Sequence, residues 1–286
     1  RSPGVLPQRR GGCCAVRAAR CGSEDRYVKD QVNTSRIIAV LEPIIRSFPA
    51  KLVAGQLTQL ERFAYNIDLV YSRKGEAARV CDVGGGWGAF SLGCAAMGMD
   101  AVLVDDFRDP GFFDEATMEV MNGLYERFHV NVISRDVVAE GVDFAPATLA
   151  AVTSFDSMEH WHHSPKRLFH SLREGLKPDG LFVLGTPNCA NLRKRIEGIL
   201  GRAKWTQMGD WYEQERFRGH VREPDVEDLR YIALDLGLRA VEIHGRNWSG
   251  YYSSSALVQR LTRVTDPILQ RFPSLCSDIY LVAAKA

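Results

Sequence analysis

Apolar positions along this chain fall into two alternating rhythms. Residues 33–48 carry Ile37, Leu41, Ile44 and Ile45, and residues 56–72 carry Leu57, Leu60, Phe63, Ile67 and Val70. Spacings of mostly three and four place each set on one helical face, which predicts two N-terminal helices. The rhythm then changes. ARVCDV (78–83), AVLVD (101–105), VNVIS (130–134), LAAVTSF (149–155) and LFVLGT (181–186) are short, nearly continuous apolar runs, as expected of strands buried on both faces. Helical stretches lie between them: 88–97 with Phe90, Cys94 and Met97, and 112–128 with Phe113, Val120, Met121, Leu124 and Phe128. A further helix follows Ser164-Pro165, read as an N-cap and a first-turn proline, with Leu168, Leu172 and Leu176 four residues apart. KPDG (177–180) reads as a turn. A helix over 224–236 opens at Pro224 and stops before Gly237, and strands over 238–244 and 278–285 end the chain. Strands alternating with helices predict an α/β fold, doubly wound, around a mainly parallel sheet.

The junction VCDVGGGWGAF (80–90) carries the first candidate chemistry. An apolar strand ends in Asp82, and four glycines occupy the next few positions before a helix begins. A strand, a glycine turn and a helix N-terminus form the mononucleotide-binding half of a doubly wound sheet. Gly84 permits the tight turn, Gly86 the close approach of a ligand, and Gly88 the packing of helix on strand. Asp105, at the end of the next strand, is placed to accept hydrogen bonds from both ribose hydroxyls. Gly84, Gly86 and Ala89 also satisfy G-x-G-x-x-A, so NAD(P) and S-adenosyl-L-methionine compete as cofactors. Asp82 and Gly88, which complete D-x-G-x-G-x-G, favour the second.

On these residues the sequence resembles the class I S-adenosylmethionine-dependent methyltransferases, in the broad family that includes ubiquinone-biosynthesis methyltransferases. CDVGGGWG matches the family's glycine motif and VLVDD its ribose-binding strand end. FDSMEHWHHSPKRLFHSLREGLKPDGLFVLGTPN (155–188) matches its fourth strand, helix and fifth strand. RGHVREPDVEDLRYIALDLGLRAVEIHGRN (218–247) is similar to bacterial members found with sugar and cell-surface polysaccharide pathways. The resemblance implies a Rossmann-like, seven-stranded sheet with an antiparallel last strand. It implies that Asp82, Gly84, Gly86 and Gly88 line the methionine end of the cofactor. Asp105 would bind the ribose, with Asp106 a near competitor. Asp136 and Val137 would face the adenine, and Phe155 the donor methyl. Gly85 and Trp87 depart from the family pattern, which has a small polar residue or cysteine at the former and a smaller side chain at the latter.

Methyl transfer to a hydroxyl calls for a base, and histidine suits that role near neutral pH. SMEHWHH (157–163) lies just beyond the fourth strand, at the ligand-binding end of the sheet, and His160 is the preferred base. His220 in GHVRE is the second candidate. The alternatives are that these histidines cap a helix, or that Asp156, Glu159 and His160 hold a metal; no spacing here is diagnostic of a metal site. The segment 187–222 breaks the α/β rhythm. Its basic residues (Arg193, Lys194, Arg195, Arg202, Lys204) and aromatics (Trp205, Trp211, Tyr212, Phe217) suit a lid over the substrate, or else a solvated helix with packed rings.

Composition adds limits. A formal charge of +1 gives no global attraction to nucleic acid, and no apolar run is long enough to span a bilayer. Seven cysteines with no CxxC pair read as reduced thiols of a cytoplasmic protein. The first 23 residues are arginine-rich and acid-free, and residues 1–30 read as a disordered leader, followed by N-terminal helices (31–75) and the cofactor-binding domain (76–286). The expected function is methylation, at oxygen, of a small-molecule or glycan acceptor. An NAD(P)-dependent oxidoreductase and a non-catalytic cofactor-binding scaffold are the alternatives.

Overall fold

The computed structural model describes residues 23–108, 113–202, 206, 208–215, 217 and 219–286. Three helices come first: α1 (Ser23–Arg46), α2 (Ala50–Thr58) and α3 (Leu60–Lys74). The single helix expected over 56–72 is therefore two, broken at Gln59, and the first helix begins at Ser23, inside the stretch read as a leader. Residues 1–22 lie outside the described residues. The alternating part then runs β1 (Arg79–Val83), α4 (Ala89–Ala96), β2 (Asp100–Asp105), α5 (Glu115–Arg127), β3 (Asn131–Ser134), α6 (Val137–Glu140), β4 (Leu149–Phe155), α7 (Lys166–Gly175) and β5 (Leu176–Pro187). The chain continues through α8 (Leu192–Ile199), α9 (Met208–Tyr212), α10 (Val226–Asp235), β6 (Leu238–Arg246), α11 (Trp248–Tyr251), α12 (Ala256–Leu269) and β7 (Asp278–Lys285).

The strands form one sheet in the order β3-β2-β1-β4-β5-β7-β6. β1 to β5 are parallel, and β7 runs antiparallel to both β5 and β6. Alternate residues of the inner strands go to opposite faces, as a period of two requires. Val80, Leu103, Ala151 and Val183 pack under α1, α3, α4 and α5, whereas Cys81, Val104, Val152 and Leu184 pack with α7 and α10. This two-sided burial is why the strands read as unbroken apolar runs. The N-terminal helices belong to the first layer: a Cβ at Gly93 of α4 would lie 2.4 Å from Ile67 Cδ1 and 3.3 Å from Leu41 Cδ1, so this glycine lets α1 and α3 lie flat on α4.

Three local expectations are corrected. KPDG is not a turn between helix and strand but an outward loop within β5: Leu149 pairs with Leu176, and the next pair is Ala151 with Leu181. Ser164 does not cap α7, whose N-cap is Pro165 with no side-chain cap; the Ser164 hydroxyl accepts only from Lys166 N–H, at 3.4 Å. The start of α10 is set by a capping box of Asp225 and Asp228 rather than by Pro224 alone.

Candidate active site

The carboxyl ends of β1, β2 and β4 converge on the glycine turn. Gly84 has φ +70°, and a Cβ there would lie 1.8 Å from Ser157 Oγ, so only glycine lets this turn pass the loop that follows β4. The extra glycine, Gly85, is explained the same way: its Cβ would fall 2.3 Å from Asp82 Oδ2 and 2.5 Å from Leu103 Cδ1. Trp87, the other departure, is buried and packs on Phe113 with ring centroids 4.6 Å apart.

Asp105 accepts from Gly86 N–H at 2.9 Å and from Phe107 N–H at 3.3 Å, which fixes its carboxylate beside the turn. Burial raises its pKa, against those two bonds. Asp106 accepts instead from Arg108 N–H at 3.1 Å. Asp82 is buried between β1 and its neighbours and accepts from the hydroxyls of Ser91 and Thr153, both at 3.0 Å. Loss of water pushes its pKa up to about 7, and those hydrogen bonds oppose the shift. Asp136 caps α6 through Ala139 N–H at 3.1 Å, and Val137 is the first residue of that helix. Phe155 stacks edge-on against Phe90, centroids 5.1 Å apart.

Two cavities meet at Gly84. One of about 640 Å³ is lined by Asp105, Asp106, Asp136, Val137, His160 and Phe217. The other, about 320 Å³, is lined by Asp82, Gly86, Phe155, Arg62 and Asn66. Together they gather every sequence-predicted cofactor residue except Gly88, which supports the turn from behind: a Cβ there would lie 2.7 Å from Leu103 Cδ2. The donor set fits a nucleoside with a charged tail. A fixed carboxylate at the end of β2 can receive a diol, Asp136 and Val137 frame a base, and Asp82 offers a buried carboxylate to a cation.

A third cavity, about 680 Å³, adjoins both. Arg62 and Asp156 line it together with the 320 Å³ cavity, and His160 lines it together with the 640 Å³ cavity. Its remaining wall is rich in hydroxyl and amide groups, among them Asn191, Asn247, Ser249, Ser253 and Thr262. A 3-10 turn (Met158–His160) turns Glu159 inward and leaves His160 exposed. The His160 ring meets that of His220 edge to face, centroids 4.8 Å apart. The Glu159 carbonyl accepts from Val221 N–H at 2.6 Å and Arg222 N–H at 3.2 Å, which ties the segment after α9 to the loop after β4. His220 Nδ1 lies 2.7 Å from Glu223 Oε1, and that hydrogen bond raises the imidazole pKa. Lys194 of α8 also pairs with Glu223.

The metal alternative changes membership. Asp156 is paired with Arg62, which also reaches Asp278 at 3.4 Å. Among the described residues, the metal-ligand types that do converge are Glu159, His160 and His220, whose ligand atoms lie within 4.8 Å of one another. Glu159 is fully buried, and desolvation, with the Asp156 charge adding to it, pushes its pKa up to about 8. Of the segment 187–222, Phe217 reaches the 640 Å³ cavity and Arg193, Lys194 and His220 the 680 Å³ cavity. Trp211 and Tyr212 are exposed on α9, and Lys204 and Trp205 lie outside the described residues. Sequence reasoning missed Arg62. Nothing in LERF sets it apart, because its partners are 94 and 216 residues away.

This is the architecture of a doubly wound protein that binds a nucleoside cofactor at the ends of its central strands. The chain belongs to the methyltransferase domain family, whose model matches residues 56–243. The fold is shared with a SAM-dependent methyltransferase from Thermotoga maritima, 13% identical, with a TM-score of 0.51, covering 87% of this chain and 100% of that one. An S-adenosylmethionine-dependent methyltransferase from Mesorhizobium loti is 15% identical, with a TM-score of 0.51, covering 79% and 97%. A SAM-dependent methyltransferase from Archaeoglobus fulgidus is 20% identical, with a TM-score of 0.47, covering 80% and 98%. A search of curated proteins found no match.

Proposed function

We propose that this protein is a cytoplasmic S-adenosyl-L-methionine-dependent methyltransferase that methylates a hydroxyl of a small, polyhydroxylated acceptor such as a sugar or glycan unit. The observation that carries this reading is the junction at Arg62, Asp156 and His160, where the two-part cofactor cleft adjoins a cavity walled by hydroxyls and amides. The cofactor supplies a methyl group on a good leaving group. Asp105 holds the ribose hydroxyls, Asp136 and Val137 flank the adenine, and Asp82 receives the cationic amino-acid tail. His160 takes the acceptor proton as the methyl group arrives. His220 is the alternative base, favoured by its carboxylate partner: with Nδ1 engaged by Glu223, proton transfer would go through Nε2. Arg62, paired with Asp156 and Asp278, holds the wall between donor and acceptor. The four described cysteines are free thiols, as suits a reducing compartment. Among the described residues no helix is long and apolar enough to cross a membrane.

The test is transfer of label from methyl-labelled S-adenosylmethionine across a pool of bacterial glycans, sugar nucleotides and quinone precursors. Label in a base-stable ether on a sugar supports the proposal. Label on nitrogen or on a phenol would overturn the acceptor class, and oxidation or reduction with NAD(P) would overturn the reaction.

A further inference from the structure

Helix α12 turns a long apolar face outward. Leu257, Leu261, Val264 and Ile268 recur at intervals of four, three and four, which makes one stripe along the helix. All four are between 54 and 69% exposed. On α8, Leu192, Ile196 and Ile199 repeat with the same spacing and are also exposed, Ile199 to 87%. A helix packed on a globular core normally buries such a stripe. α8 is tied to the turn that follows α12 (Pro273–Leu275): Arg195 donates to Ser274 O at 3.1 Å. Both helices line the 680 Å³ cavity, α8 through Leu192 and Arg193 and α12 through Val258 and Thr262.

The exposed charge beside the α12 stripe is positive. Arg260, Arg263 and Arg271 are exposed, while Asp266, the only acid between residues 256 and 272, is buried and bonded to Asn247 and Tyr251. On α8, Arg193 pairs with Glu197 and Lys194 with Glu223, which leaves Arg195, bonded to the Ala190 and Ser274 carbonyls, as its surplus positive charge. The near-zero net charge of the whole chain conceals this local excess. Exposed aliphatic stripes fringed by arginine match the interfacial zone of an anionic bilayer, where the stripe enters the acyl boundary and the basic groups meet lipid phosphates.

We propose that α8 and α12 dock the protein on an anionic lipid surface, so that the acceptor cavity they line receives a hydroxyl borne by a membrane-anchored molecule. A protein or a second copy of this chain seated across both helices would cover the cavity, whereas a bilayer carries an acceptor to it. The nature of the delivered group rests on the methyltransferase reading given above; the docking itself is measured without turnover.

The experiment is co-sedimentation of the full chain with vesicles of equal parts phosphatidylglycerol and phosphatidylcholine, alongside vesicles of phosphatidylcholine alone. Binding to the mixed vesicles, weak binding to the neutral ones and release by added salt are expected. Arg260→Gln and Arg263→Gln should each weaken binding about fivefold. Leu261→Asp and Val264→Asp should each weaken it by roughly tenfold or more. These surface variants should keep their affinity for S-adenosylhomocysteine, which shows that they fold. A folded sample that binds S-adenosylhomocysteine but not anionic vesicles would overturn the docking, as would Leu261→Asp binding vesicles like the parent chain. A concentration-dependent dimer, abolished by Val264→Asp and unaccompanied by vesicle binding, would assign the face to a second copy instead. Vesicle binding without S-adenosylhomocysteine binding would leave the docking standing and sink the cofactor assignment.

Discussion

The two sides of the cleft are built from different materials. The cofactor side is mostly local in the chain: a glycine turn, the ends of β1 and β2 and the first turn of α6 fall between residues 80 and 137, joined by Phe155 at the end of β4. The acceptor side is assembled from side chains on α3, the loop after β4, α8, the segment before α10, and α11 to β7, from Arg62 to Asp278. A glycine-turn site tolerates few substitutions but is specified locally. A side-chain site exists only once the sheet has brought distant segments together, and its residues are free to change with the acceptor.

Variants should separate the two sides. The largest effect is expected at the base. His160→Ala should lower kcat by about 10²–10⁴-fold while leaving S-adenosylhomocysteine affinity near that of the parent, because a proton acceptor acts in the transition state rather than on the cofactor. Steady-state rates beside calorimetry check this. Near-normal turnover in His160→Ala with a steep loss in His220→Ala would move the base to the carboxylate-backed imidazole, and loss of activity on chelation would point to a metal held by Glu159, His160 and His220.

Gly84→Ala comes next, and it strikes the cofactor side through the backbone. The added Cβ meets Ser157 Oγ at 1.8 Å and sits at positive φ, so strain and overpacking together should cost about 2–4 kcal/mol. Chemical denaturation reads this directly, and an unchanged midpoint would show that the β4 loop gives way freely. Asp105→Ala should weaken S-adenosylhomocysteine binding by about 1.5–3 kcal/mol for each charge-assisted bond removed. Asp106→Ala should leave it nearly unchanged; the reverse ranking would transfer the ribose to Asp106.

The smallest effect is a pH dependence. Asp82 has a native pKa of about 7, raised from an ordinary 3.8. Stability arising from this shift is complete below the ordinary value and is lost as pH rises through about 7. A cationic cofactor tail prefers the ionised carboxylate, so affinity should rise with pH, by at most about tenfold per unit below pH 7, and level off above it. Asp105, raised in the same direction, adds to the trend. Asp82→Asn should flatten both curves; a parent affinity independent of pH between 5 and 8 would place the tail elsewhere.

The same division decides what the sequence reveals. Strands buried on both faces are continuous apolar runs, so β1, β2, β4 and β7 are legible almost to the residue, and the glycines mark the turn because side chains cannot stand there. Gly85 looked anomalous only because the Asp82 carboxylate beneath it is invisible in one dimension. Arg62 carried no local signal, since an arginine on a helix is ordinarily solvated. The pairing of His160 with His220 depends on Val221 and Arg222 N–H groups bonding the Glu159 carbonyl, a contact across 62 and 63 residues. The region between β6 and β7 was silent for a related reason. The apolar stripe of α12 faces outward, and it carries none of the motifs that identify a site.

The most direct test of the central claim is calorimetric titration of the purified chain with S-adenosylhomocysteine and, separately, with NAD. The prediction is saturable binding of S-adenosylhomocysteine, lost in Gly84→Ala and weakened in Asp105→Ala, with no heat from NAD. Binding of NAD by a folded sample that ignores S-adenosylhomocysteine would contradict it.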